Sequence, residues 1–480
     1  MKKRVKETTI TGVVEEHPII KRKVDKSLKA SLKDAKHASI STGLGASYLG
    51  PFALFLGATA PQISLLHGIA SLFPALTELF SSHLIEKHSR KRVTILSATL
   101  NSVILGLMAL LGFLYFFDYA NIWALLLLVA LFYMAFGLGY PAWFSWMGSL
   151  IPAEERGKYL SKRIRIASIF SLITMLLSAL VLDFLKKTGI ARGQELGFTA
   201  AGFILFLVLA ALFKLMSVRY LSKQYEPKIK IRKKDQSGLW HFLKNSDKSP
   251  LGKFAWFSFA IRAAMGVAAP FYIIFLLQDY QFTYFWYMGF VVSGIAFQIL
   301  FLPLLGKMSD RFGNITLIRN SSIALAIVPL LVILGIFIPQ KGLMILYLLT
   351  IPQILSGFGI AGFNLATNNY LYDSSSPQKR GYSLTHLNLL TGTGFFIGTL
   401  IASTLSSVKI SFLSVSLIAF LLSSILRILV VAIGQRTLQE VREVRPFSPK
   451  YFLHEIHPLR SAINQVHHSN HQGGKIIHHI

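Results

Sequence analysis

The chain has 480 residues, 53% of them hydrophobic and 15% charged, with 49 Lys+Arg against 21 Asp+Glu and a formal charge of +28. Soluble domains are about 25% charged, so the composition argues against one. It also excludes disorder and, because the 35 Gly follow no triplet period, collagen. The absence of Cys removes disulfides, thiolate zinc sites and Cys nucleophiles.

In chain order, residues 1–37 begin basic, contain no apolar stretch and carry five acids. They read as a solvated cytoplasmic tail ending in an amphipathic helix near 24–36, not as a signal peptide. Twelve apolar runs follow, at 38–60, 63–85, 93–117, 122–150, 164–184, 196–216, 253–278, 283–305, 316–338, 342–372, 383–404 and 410–433. A helix crosses about 30 Å of hydrocarbon with roughly 20 apolar residues. Barrel strands would alternate in polarity, and IWALLLLVALFYMAFGLG does not. The expectation is an all-α integral membrane protein with twelve transmembrane helices. Residues 217–252 are polar and basic, a linker between an N-terminal bundle (38–216) and a C-terminal bundle (253–433).

The tail at 434–480 holds seven of the fourteen His, from His454 to His479. HHSNH at 467–471 is compatible with weak divalent-metal binding, but nothing imposes geometry. A solvated tail is the plainer reading, and no metal site is assigned.

With the N-terminus inside and the spans alternating, 42 of the 49 basic residues fall on one side and five on the other. By the positive-inside rule both termini are cytoplasmic, facing the anionic headgroups of the inner leaflet. The charge is thereby accounted for without nucleic acid.

The halves echo each other. Glu86 and Ser89 in the loop after the second span precede Asp310 and Gly313, after the eighth, by 224 residues; Arg156-Gly157 precede Arg380-Gly381 by the same interval. Gly139-Tyr140 and Gly362-Phe363 are 223 apart, and Pro51-Phe52 and Pro270-Phe271 are 219 apart. Two parallel six-helix repeats are a transporter architecture with a substrate site between them near midplane.

At this point the residues carry a resemblance. GKMSDRFGN at 306–314 resembles the loop signature G-x-x-x-D-R-x-G-R-[KR] of the major facilitator superfamily, with Asn314 in place of the expected Arg. The first copy is degraded, with Ser82, Glu86, Lys87 and Ser89 at the signature positions, but it keeps Arg90-Lys91-Arg92. The resemblance covers roughly 38–433 and implies the major facilitator fold: two six-helix bundles, monomeric, without cofactor, moving a small-molecule substrate across the cell membrane. It assigns a cytoplasmic gate to Glu86, Arg90 and Arg92 in the first half and to Gly306, Asp310, Arg311 and Gly313 in the second. Arg156 and Arg380 are candidates for the same gate. The bland alternative is that these basic residues only set topology.

Charges inside spans are costly and mark function or a buried pair. Arg262 lies near midplane, either facing an anionic substrate or counter-ion or held in a structural ion pair. Glu78 is a candidate for proton coupling or for pairing with a loop Arg across the half interface. His67 reads as a lone satisfied histidine, and Arg427 as a snorkelling cation. The first span, as bounded at 38, has no acid. By resemblance, spans 1, 4, 7 and 10 line the cavity, which nominates Asn364, Asn368, Tyr140, Trp143, Ser47 and Tyr48. The aromatic residues are equally placed to be interfacial anchors. No catalytic set and no phosphate-binding P-loop are present, so an enzyme or an ATP-driven pump is not expected. A non-transporting receptor or scaffold on the same fold stays open.

Overall fold

The computed structural model describes residues 18–151, 156–227, 239–375, 380–407 and 414–445; the His-rich end and Met1–His17 lie outside them. The described residues form fourteen α-helices and no strand. The first half comprises α1 (Pro18–Leu44), α2 (Leu49–Phe55), α3 (Ala60–Lys87), α4 (Arg90–Leu114), α5 (Ile122–Leu150), α6 (Arg156–Ala191) and α7 (Glu195–Ser222). A short α8 (Leu239–Lys244) lies in the connecting segment. The second half comprises α9 (Pro250–Ile274), α10 (Tyr284–Phe312), α11 (Asn314–Leu334), α12 (Lys341–Ser374), α13 (Arg380–Ser406) and α14 (Val415–Thr437).

Eleven of these, α3–α7 and α9–α14, are long and apolar enough to cross a membrane. The first crossing is not one helix. It runs through the end of α1, a 3₁₀ turn at Ala46–Tyr48, and α2. The break has a packing cause: a Cβ on Gly45 would meet Leu105 and Ala210 at 3.0 and 3.1 Å, and one on Gly43 would meet Ser171 at 3.0 Å. Pro51 further removes the N–H that would bond the carbonyl four residues back.

The start of α1 departs from the expected solvated tail. α1 lies along α6 and α7, burying Ser27, Ser31, Asp34 and Ala35. These recur at helical spacing and form one face. Tyr159 Oη donates to the Leu28 carbonyl, and Ser27 Oγ accepts from Tyr225 N. Asp34 is 2% exposed. The crossing that reads as acid-free in sequence therefore has a buried carboxylate in its own helix.

The core shows how the halves meet. On the face opposite the termini one apolar cluster runs through both halves, from Phe52 and Phe203 to Phe271, Phe275 and Phe420. On the termini face the core parts into two: Trp146, Met147 and Leu150 in the first half, and Phe254, Leu305 and Tyr370 in the second. Across the divide α3 packs on α13 and α9, and α6 on α10.

Candidate substrate cavity and gate loops

Two residues nominated from sequence come together midway along α9. Arg262 stands twelve residues into this helix and donates from Nη2 to Asn364 Oδ1 of α12 at 2.9 Å; Arg262 is half-buried and Asn364 exposed. Its guanidinium also lies 5.4 Å from the Phe363 ring centroid. No described carboxylate lies within 4 Å of it. Asn368 is exposed one turn further along α12. Tyr140 is 41% exposed on α5 and stacks between Phe136 and Trp143. Trp143 is half-buried, with the Arg163 guanidinium 4.4 Å over its ring. Ser47 is half-buried, its hydroxyl donating to the Thr42 carbonyl.

Tyr48 is a correction. It is 2% exposed, donates to the Met175 carbonyl at 2.7 Å and packs on Phe206, inside the first bundle. The broken helix turns it onto α6 and α7. Arg427 is another. It is 3% exposed and donates from Nη1 to the Leu325 carbonyl at 2.6 Å. Pro329 stands four residues after Leu325 and has no N–H, so that carbonyl has lost its helical partner, and Arg427 turns inward to supply one. His67 bonds the Ile63 carbonyl of its own helix at 2.9 Å.

Glu78 of α3 accepts from Asn388 Nδ2 of α13 at 2.9 Å, a bond between the halves. On the far face Asp183 of α6 accepts from the backbone N–H of Tyr284 and Phe285, both at 2.9 Å, at the N-terminus of α10. Helix N-termini attract anions, so one carboxylate ties the halves together there.

The loop clusters bond within their own halves. Arg90 is 5% exposed; it donates to the Ser145 and Pro227 carbonyls and to Ser149 Oγ, and lies 3.4 Å from Glu226. Ser89, where the signature has Gly, caps α4 by accepting from Arg92 N; the Arg92 side chain is exposed. In the second half Asn314 donates to Asp373 at 2.7 Å. Arg90–Ser149 and Asn314–Asp373 are both displaced by 224 residues, so the repeat extends to its contacts. The positive charge missing at 314 returns from the segment after α14, where Arg442 pairs with Asp373 at 3.0 Å and donates to the Ser309 carbonyl.

Gly313 has φ +87°, and a Cβ there would strike the Glu440 carboxylate, which accepts from Ile315 N. Gly306 has open space around it. Asp310 and Arg311 are exposed beside Glu443 and Arg445. Arg380 bonds the Tyr372 carbonyl and lies 5.0 Å from that ring. The side chains of Glu86 and Arg156 lie outside the described residues.

Sequence reading missed Asp34, Arg163 and Lys214, which lie in its tail, in a loop and at the end of its sixth span. The structure brings them together. Arg163 Nη2 reaches Asp34 Oδ2 at 2.9 Å, Ser217 Oγ donates to Asp34 Oδ1 at 2.6 Å, and Lys214 faces the same cavity. The small and polar stripe of Ser27, Ser31, Asp34 and Ala35 was the available signal.

The family model of the Major Facilitator Superfamily matches residues 38–352 and 254–468. With this fold and these paired loop clusters, the chain belongs to that superfamily. No curated protein matches the sequence. Among solved structures it is similar to the nucleoside transporter NupG, at 14% identity and a TM-score of 0.60, over 88% of this chain and 99% of that one. It is also similar to a bacterial homolog of the human lysosomal transporter Spinster in an inward-facing and unoccupied conformation, at 14% identity and 0.58, over 90% and 100%. An auto-inhibited POT family peptide transporter aligns at 12% identity and 0.59, over 88% and 98%. At these identities the likeness is one of fold, and the chain is a multi-pass membrane transporter of this superfamily.

Proposed function

We propose that the protein is a secondary transporter that moves a small solute across the cell membrane by alternating access between the bundles at 38–216 and 253–433, both termini being cytoplasmic. The observation that carries the reading is the core: it is continuous across the halves on one face and divided on the termini face. This is the pattern of a carrier sealed outside and open inside. The loop clusters fit it: the contacts of Arg90, Asn314 and Arg442 lie within their own halves. Arg262 favours a solute with an anionic group, since a cation near midplane with no acid beside it is costly unless something pairs with it. Asn364 and Asn368 supply hydrogen-bonding edges beside it, and the superfamily's enzyme-free chemistry needs no cofactor.

The test is chemical access followed by flux. Cysteines placed singly at 262 and 364 are expected to react with water-soluble thiol reagents from the termini side. Purified protein in proteoliposomes is expected to move anionic solutes, with Arg262→Gln reducing uptake about ten-fold, the effect of losing one hydrogen bond to a charged group. Unreactive cysteines at both positions would refute the cavity.

A further inference from the structure

A second cavity, of about 220 Å³, lies wholly within the first half, between α1, α4, α5, α6 and α7, and neither Arg262 nor Asn364 lines it. Its polar lining includes Asp34, Asn101, Tyr140, Trp143, Arg163 and Lys214, together with Ser and Thr hydroxyls, and Ala38 and Phe136 are among its apolar residues. Asp34 is already occupied by Arg163 and Ser217. Among the described residues no carboxylate lies within 4 Å of Lys214, so the cavity holds one positive charge in excess.

Three polar atoms in this wall are buried and lack partners: Asn101 Oδ1, Trp143 Nε1 and Arg163 Nε. Asn101 is itself 2% exposed. Buried polar groups without partners are rare and call for a ligand or ordered water. Trp143 and Arg163 offer N–H donors, Lys214 a charged one, and the Asn101 amide presents either end as a ligand requires.

We infer that this cavity is a binding site for an organic monoanion, whose single carboxylate or phosphate oxyanion meets Lys214, Arg163 Nε and Trp143 Nε1 while its apolar body lies against Phe136. The space equals that of roughly seven waters at about 30 Å³ each, enough for a ring bearing one acid group. The oxyanion comes either from a soluble acid or from a lipid headgroup. Tyr140 and Trp143, nominated for the solute path, also line this cavity, but Arg262 and Asn364 do not, and its occupancy is read by binding alone, so it stands or falls separately from transport.

The experiment uses the full chain in nanodiscs of zwitterionic lipid, titrated with benzoate and, as the uncharged match, benzamide, and followed by thermal midpoint. Benzoate is expected to give a saturable rise and benzamide none. Lys214→Gln is expected to weaken benzoate about ten-fold or more. Trp143→Phe, which keeps the ring under Arg163 but removes the N–H, is expected to weaken it by roughly three- to ten-fold. Lys186→Gln removes an equal charge at an exposed pair with Glu195 and is expected to change nothing. In discs containing phosphatidylglycerol, loss of the benzoate response together with a Lys214-dependent stabilisation by the lipid identifies a headgroup as the source. The inference is overturned by an equal rise with benzamide or by a benzoate response lost in Arg262→Gln but kept in Lys214→Gln. It is also overturned if neither benzoate nor anionic lipid stabilises in a Lys214-dependent way.

Discussion

Gly313 and Gly306 belong to one sequence signature but have different physical standing. At Gly313 the backbone is left-handed, φ +87°, and the Cβ position is filled by the Glu440 carboxylate. At Gly306 nothing lies within 4 Å of that position. Gly313→Ala is therefore expected to cost about 1–3 kcal/mol and lower the unfolding midpoint, whereas Gly306→Ala leaves it unchanged. Asn314 makes the same point. Its departure from the signature was visible in sequence, but its replacement was not, because Arg442 lies 128 residues away and meets Asp373 only in the folded chain. Arg427 was misread as a snorkelling cation because its partner is a backbone carbonyl freed by Pro329, and no residue pattern announces a freed carbonyl.

Elements decide which surfaces touch. Asp183 joins the halves on the face opposite the termini by accepting two backbone bonds from the start of α10. Bonds to a charged group are the stronger ones. Asp183→Asn is expected to weaken this closure by about 1.5 kcal/mol, a population shift of roughly ten-fold. A cysteine at Leu277, which lines the joint on that face, is then expected to label faster with impermeant thiol reagent from the sealed side. The same rate in both backgrounds would remove Asp183 from the closure. α1 shows what hydropathy cannot report at this scale. Its first half has charged residues on the outer faces and Ser27, Ser31 and Asp34 on the inner one, so a running average reads it as polar tail. Burial is a property of a face, and the face packs on α6 and α7.

For the whole molecule, the sequence-based assignment of 42 basic residues to one side predicts that epitopes at either end are reached by antibody only after the cells are permeabilised. Glu78 bonds Asn388 between the halves. If that carboxylate carries a coupling proton, Glu78→Gln retains solute exchange in proteoliposomes but loses uptake driven by a proton gradient. Equal loss of both would make it a structural bond.

The sequence by itself determined the fold class and the two-fold repeat and nominated Arg262 and Asn364 for one cavity; it reads as twelve spans where eleven described helices are long and apolar enough, the first crossing being broken. Each of these readings rests on a pattern along one chain: a run long enough to span lipid, a fixed interval of 224, a polar residue where polarity is costly. The tertiary structure decided where α1 begins and breaks, that Tyr48 and Arg427 turn inward, and that one apolar cluster joins the halves while two others stay within a half each. It also placed Asp34, Arg163 and Lys214 around one cavity. These depend on close approach between helices remote in sequence, such as Gly45 against Leu105 and Ala210, and on hydrogen-bonding groups that only neighbouring helices satisfy.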